Sequence, residues 1–234
     1  MSLDDPPPTA RSTRRQRVEE KERAILSAAR RIFEGKGYEG ARVADVAAAI
    51  GVAEGTIYTY FPTKDALVRA MLESFWEGIT AEAHAAVDGH PDIFARLEAL
   101  AKSHLALCIR NWSFLELTLR FLPGRSQDAQ TRSLMRDYVA VFDETFATGQ
   151  DKGELMEEAE LWVARDQFYG ALEYSGRTLM LRGNPDPAPV INALISSFRA
   201  TYGAGGQPKA LEGRLAKLEA KSAIQVVRPG KRAL

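Results

Sequence analysis

The amino-acid pattern predicts an all-α protein. Apolar residues recur at helical spacing from near Thr13 to about position 203. No segment alternates apolar and polar residues as a half-buried strand does. Gly, Pro and Asn break the periodic stretches at intervals that suit helix–helix connections. The 234 residues fit one small module and one larger domain, and 45% apolar content is ample for both cores. The expected architecture is an N-terminal three-helix domain followed by a larger C-terminal helical domain, about nine helices in all.

Residues 1–12 are Pro-rich and polar, and read as a disordered arm. A first helix is expected from Thr13, where Thr13 and Gln16 can form a capping box. Ile25, Ala28, Ala29, Ile32 and Phe33 mark its buried face, and Gly35 and Gly37 end it. A short helix follows with Val43, Val46, Ala47 and Ile50 facing inward, and Gly51 breaks it. A second short helix runs from about Glu54 to Tyr60. Pro62 stops that helix, and Thr63 can cap a long one beginning at Lys64. Further helices are expected over 64–88, 92–111, 113–122, 126–151, 157–182 and 187–203. Their breakers are Gly89, Pro91, Pro123, Gly124, Gly153, Gly183, Asn184, Pro185 and Pro187. The domains read as 13–70 and 71–203. Residues 204–234 form a basic, flexible tail, with Leu211, Leu215 and Leu218 on one face of a possible short helix. The tail reads as solvated chain or as an extra contact to DNA or a partner.

Lys plus Arg and Asp plus Glu are equal, at 31 each. The balance hides an asymmetry. Residues 1–70 sum to +2, residues 71–203 to −7 and residues 204–234 to +5. Within residues 11–42 there are 10 basic and 5 acidic side chains. Phosphate binding needs a local basic surface rather than a basic protein. The N-terminus has no apolar signal core, and no run of 18 apolar residues suggests a membrane span. A single cysteine, Cys108, cannot form an intrachain disulfide. A cytoplasmic chain without membrane attachment is therefore expected. Nothing matches a P-loop, G-x-S-x-G, H-E-x-x-H or a cysteine cluster, so neither catalysis nor a cofactor is expected. His104 and Cys108 are four apart and resemble half a metal site. His84 and His90 are not spaced to complete it, so Cys108 reads as a buried thiol and no metal is expected.

The chemistry concentrates in VADVAAAIGVAEGTIYTYFPTKDALVRAML, residues 43–72. Two short helices joined by a tight Gly-containing turn make a helix-turn-helix. Gly51 can take the positive φ that the turn requires. Val52 pins the turn to the core. Gly55 and Thr56 are small, so the start of the second helix can approach DNA, where backbone amides attract phosphate. Ile57 and Phe61 face inward, which leaves Thr56, Tyr58, Thr59 and Tyr60 for the major groove and its walls. Tyrosine hydroxyls can bind phosphate. Lys64 is placed for another.

These residues resemble the TetR family of transcriptional regulators. The order RAILSAARRIFEGKGYEG, VADVAAAIGVAEGTIYTYF and TKDAL is similar to that family's DNA-binding domain. Its recognition-helix pattern is matched by Gly55-Thr56-Ile57-Tyr58-Thr59-Tyr60-Phe61, and its following lysine by Lys64. The motifs span residues 22–72. Two positions depart from the pattern. Ala41 and Arg42 stand where Thr or Ser usually caps the second helix, so Arg42 is a candidate phosphate contact instead. Glu54 stands where a basic or small residue is common. Its carboxylate can accept from a cytosine amino group or simply favour the helix N-terminus.

The resemblance implies a repressor that binds a palindromic double-stranded DNA operator as a homodimer and is released by a small hydrophobic effector. A ligand-independent regulator or an activator is the alternative. The last two helices would form the dimer interface, with Phe168, Leu172, Leu179, Ile191, Leu194, Ile195 and Phe198 on one face. In a monomer these residues would be plain core. Candidate effector residues are Trp112, Phe114, Tyr138, Phe142, Trp162 and Tyr169, with Phe121 beside them. Glu116, Arg120, Glu173 and Arg177 are polar residues within apolar helices and need partners if buried. The runs FLELTLRF, GQDKGEL and FYGALEYSGRTLMLRGNPD resemble the family's fatty-acid-degradation branch, whose members respond to long-chain acyl-CoA. Arg120 and Arg177 would then face the phosphates. A multidrug-type pocket for flat aromatic cations, served by Glu116 or Glu173, stays open.

Overall fold

The structure is a computed structural model that describes residues 10–112, 114, 129–183 and 186–205. Eight α-helices occupy the described residues: α1 (Ala10–Gly40), α2 (Val43–Ala49), α3 (Glu54–Tyr60), α4 (Lys64–Val87), α5 (Ile93–Arg110), α6 (Ala129–Asp151), α7 (Leu161–Arg182) and α8 (Ala188–Tyr202). No strand is present among them, and one isolated antiparallel bridge joins Leu155 to Gly203. No described helix is long and apolar enough to cross a membrane. The helix expected over 113–122, the arm 1–9 and the tail beyond 205 lie outside the described residues.

Packing divides the chain into two compact units. One gathers the described residues up to Ala86 with those from Ser103 to Val141. The other gathers Val87–Lys102 with those from Phe142 onward. The domain boundary expected after residue 70 falls inside α4.

In the first unit, α1 buries Ile25, Ala28, Ala29 and Phe33, while Ile32 is half-buried. The helix starts earlier than expected, so Thr13 lies within it rather than at its cap. It also continues past Gly35. Gly37 (φ 69°, ψ 175°) breaks the helical geometry there as its sequence suggests, and a separate turn reaches Gly40. Thr63 caps α4 as its sequence suggests, its Oγ accepting from the Ala66 N–H at 3.0 Å. Leu67, Val68, Met71, Leu72, Phe75, Trp76 and Ile79 then form the buried face of α4.

The second unit has an aromatic core. Phe142 lies 4.9 Å from Phe168 and 5.5 Å from Phe146 between ring centroids. Phe198 lies 5.6 Å from Phe168 and 5.0 Å from Tyr202. The expected start of α7 at residue 157 is displaced to Leu161. The Gln150 side-chain amide donates to the carbonyls of Met156, Glu157 and Ala159 at 3.0–3.1 Å, and the Met156 N–H donates to the Tyr202 carbonyl at 2.8 Å. Those bonds hold the segment as a turn, so its carbonyls are already satisfied outside a helix.

Gly149 explains itself by close approach. A Cβ there would lie 2.7 Å from Ile93 Cγ1 and 2.8 Å from Leu155 Cδ1. Replacing a helix-interior glycine by alanine ordinarily gains about 1 kcal/mol. Gly149→Ala is instead expected to cost about 1–3 kcal/mol through overpacking. The loss reads as a lower urea midpoint at unchanged m-value, and a raised midpoint would refute the close approach.

The first unit also buries an imidazole. His104 is 5% exposed, and burial lowers its pKa to about 4. An unfolded chain titrates it near 6.5. Between those values the unfolded chain binds a proton that the folded chain does not. The stability held by neutral His104 is therefore complete above about pH 6.5 and declines as pH falls toward 4. His104→Gln should flatten the dependence of unfolding free energy on pH in that window, by up to about 1.4 kcal/mol per pH unit. Denaturant melts across pH 4–7 measure it, and an unchanged slope would contradict the assignment.

Candidate nucleic-acid interface

The helix-turn-helix is built from two seven-residue helices. Neither is long enough to persist in water by itself. Burial holds them. Val43, Val46 and Ala47 of α2 and Ile57 of α3 are buried, as is Phe61 just beyond. Gly51 takes φ 66° in the turn, a left-handed conformation that favours glycine. The Gly51 and Val52 N–H groups donate to the Ala48 and Ala47 carbonyls at 3.2 and 3.0 Å, closing the turn.

No Ser or Thr caps α2, and Arg42 has no acceptor atom to replace one. The cap is supplied from the other side. Asp45 accepts from the Arg42 backbone N–H at 3.0 Å and pairs with Lys36 of α1 at 2.9 Å. Lys36, and then the Arg42 N–H, hold the Asp45 carboxyl below the usual carboxylate range. The Arg42 side chain stays exposed.

With Ile57 and Phe61 inward, α3 turns its other side outward. Glu54, Gly55, Tyr58 and Thr59 are exposed, and Thr56 and Tyr60 are half-buried. Tyr58 is 43% exposed, a large ring left on the surface. Thr59 bonds back to the Gly55 carbonyl at 3.0 Å, which orients its methyl group. No side chain caps the start of α3.

Lys64 has a structural engagement that its sequence did not reveal. Its ammonium donates to the Tyr38 carbonyl at the end of α1 and sits 4.3 Å from the centre of the Tyr38 ring. Tyr38 in turn donates from its hydroxyl to Asp65. This clasp ties the end of α1 to the start of α4, on either side of the helix-turn-helix.

A second tie involves Arg30 of α1. Its guanidinium donates to Glu34 at 2.9 Å and to the Asn111 side-chain oxygen just past α5. It also lies 5.1 and 4.7 Å from the ring centres of Phe75 and Phe114. Nothing in the spacing of Arg30 distinguishes it from the other arginines of α1.

The candidate effector residues are distributed over both units. Phe114 and Tyr138 are buried in the first unit, and Trp112 is half-buried there. Phe142 and Tyr169 are buried in the second, where burial raises the Tyr169 hydroxyl pKa. Trp162 is 57% exposed, and Glu173 and Arg177 are also exposed on α7. Glu116, Arg120 and Phe121 lie outside the described residues. Three groups not among the effector candidates surround Tyr138. His104 Nδ1 lies 2.7 Å from the Tyr138 hydroxyl, and Cys108 Sγ lies 3.5 Å from His104 Nε2. The Trp76 ring meets Tyr138 edge-on at 5.8 Å. The four-residue spacing of His104 and Cys108 was the only signal available.

Six of the seven residues expected at a dimer interface are buried within the protomer, while Leu179 lines the groove between α7 and α8. Phe168 and Leu172 are fully buried, Ile191, Leu194, Ile195 and Phe198 are 2–9% exposed, and Leu179 is half-buried. A helical stripe facing the core and one facing a partner have the same period, so spacing cannot separate them. The apolar groups left outside on α7 are Trp162, Tyr174, Met180 and Leu181, with Tyr174 and Leu181 76% and 79% exposed.

Residues 25–71 match the model of the bacterial regulatory proteins of the tetR family. The fatty acid metabolism regulator protein of Bacillus subtilis is 20% identical over 159 residues, 67% of this chain and 82% of that one. The transcriptional regulator CymR of Pseudomonas putida is 39% identical over 75 residues, 32% of this chain and 37% of that one. Among solved structures, the regulator FadR from Bacillus subtilis in complex with stearoyl-CoA superposes with a TM-score of 0.63 at 21% identity, over 74% of this chain and 95% of that one. Residues 25–71 thus carry the DNA-binding domain of the tetR family of bacterial transcriptional regulators, and the helical scaffold that continues from it has the fold of that family's solved members.

Proposed function

We propose that the chain is a homodimeric repressor that binds a palindromic operator through α3 and is released by a long-chain acyl-CoA or a similar apolar acyl compound. The outward face of α3 carries the first half of this reading. Tyr58, Thr59, Glu54 and Gly55 are exposed on a helix whose other face is locked in the core. A helix so presented fits the major groove, with Arg42 flanking it for a phosphate. The stearoyl-CoA held by FadR, whose fold this chain shares, supports the effector class.

The Arg30 tie supports a response to ligand. Any effector that displaces the end of α5 or the Phe75–Phe114 pair pulls on a guanidinium anchored in α1. Because α1 is clasped to α4 through Tyr38, Lys64 and Asp65, the helix-turn-helix would move with them. Differential affinity of a few kcal/mol between two states is enough to empty an operator.

A second protomer would cover the outer side of α7 and α8. Tyr174 and Leu181 project there, beside a groove of about 460 Å³ lined by Tyr174, Thr178, Arg182, Pro189 and Val190. Small exposed residues on α8, Ala193, Ser196, Ser197 and Ala200, allow helices to approach closely.

Two experiments test the proposal. Gel shifts with the DNA upstream of the chain's own gene should give a discrete complex that stearoyl-CoA dissolves and the lipophilic cation tetraphenylphosphonium does not. Tyr58→Ala should weaken that complex about tenfold without lowering the thermal midpoint. No discrete complex, or release by the cation alone, would overturn the corresponding half of the reading. Sedimentation velocity should give a species of twice the 25.8 kDa protomer mass. Tyr174→Glu with Leu181→Glu should convert it to a folded monomer, since both side chains are mostly exposed within one protomer. A dimer indifferent to both changes would place the interface elsewhere.

A further inference from the structure

Trp76 of α4 is 8% exposed, and its indole N–H meets no hydrogen-bond acceptor. An indole nitrogen can only donate. Native proteins leave few such donors unpaired in their interiors, and an unmet one calls for a partner. The neighbours of this one are rings: Phe75 at 6.0 Å and Tyr138 at 5.8 Å, both edge-on. Behind Tyr138 stand His104, 2.7 Å from its hydroxyl, and then Cys108. Helices α4, α5 and α6 each contribute to this buried cluster. Burial keeps the His104 imidazole uncharged at neutral pH.

We propose that Trp76 is the recognition point for the carbonyl oxygen of a neutral, apolar acyl ligand, with Tyr138 and His104 fixing the wall beside it. The inference rests on the effector reading above and names the atom that is read. The chemistry selects the ligand class. The unmet group is a donor, so it wants an acceptor, which a lipophilic cation does not bring. Arg30, the cation over the Phe75 and Phe114 rings, is already engaged by Glu34 and Asn111, so an ionised carboxylate at the indole would be buried with little compensation. A thioester or ester carbonyl meets both conditions. The aromatic edges of Phe75, Phe114 and Tyr138 suit an alkyl chain. A single buried water is the rival occupant, but it needs two or more polar partners. Here the Tyr138 hydroxyl and the His104 ring already face each other.

Two ligands test this on the full chain: stearoyl-CoA and the thioether S-octadecyl-CoA, which keeps the nucleotide and the alkyl chain but lacks the carbonyl. Calorimetry should show the wild type preferring the thioester about tenfold, one hydrogen bond's worth. Trp76→Phe should bind the thioether as the wild type does and lose the preference. In parallel, the ¹⁵N-indole resonance of Trp76, assigned with Trp112→Phe and Trp162→Phe, should move downfield with the thioester only. That resonance carries the test if Trp76→Phe does not fold. Equal wild-type affinity for both ligands overturns the inference while leaving the effector reading intact. So does full operator release from Trp76→Phe by stearoyl-CoA at wild-type concentration. A crystal structure with the thioester bound and a water on the indole nitrogen would do the same. Binding of neither ligand removes the acyl-CoA effector and this inference together.

Discussion

Everything the interface presents depends on the burial of Ile57 and Phe61. A seven-residue helix gains too few hydrogen bonds to offset its nucleation cost. It exists because two side chains four residues apart are withdrawn from water. The same rotation that buries them exposes Tyr58 and Thr59. Fold and recognition are therefore one choice of helix phase. A change that turned α3 by a single residue would bury Tyr58 and withdraw Ile57 from the core, removing the core contact and the outward-facing ring together.

The second constraint is the pair of ties between α1 and its neighbours. Lys64 and Tyr38 join α1 to the beginning of α4, and Arg30 joins it to the end of α5. Both use cations over aromatic faces together with hydrogen bonds to neutral oxygens. Such contacts have direction as well as strength. They hold α1 in one orientation and give only when an anchoring ring or carbonyl moves. That is the property a relay needs. Apolar packing alone would let the helices slide without changing the recognition surface.

The local features of the interface were legible in the sequence because each rests on a short-range rule. Gly51 takes the left-handed turn, Thr63 caps α4, and Ile57 and Phe61 point inward. Features that depend on residues far apart in the chain were not legible. Arg30 and Asn111 are 81 positions apart, and His104 and Tyr138 are 34 apart. The start of α7 was misplaced because Gln150 captures three carbonyls that a helix would otherwise have used. The stripe of Phe168, Leu172, Ile191 and Phe198 had the right period but an ambiguous destination, and all four are buried within one protomer.

Charge in this chain is distributed in a way that separates its two binding problems. Arg42 and Glu54 are exposed at the helix-turn-helix, where salt screens them. The cluster of Trp76, His104, Cys108 and Tyr138 is buried, with its imidazole neutral, and is shielded from ionic strength. Under the proposed reading, a ligand there is distinguished by the position of an oxygen atom along an apolar body. DNA affinity should therefore vary steeply with salt while the choice of ligand does not. A regulator of the proposed kind, so divided, would keep its discrimination among acyl compounds when changing ionic conditions alter its hold on an operator.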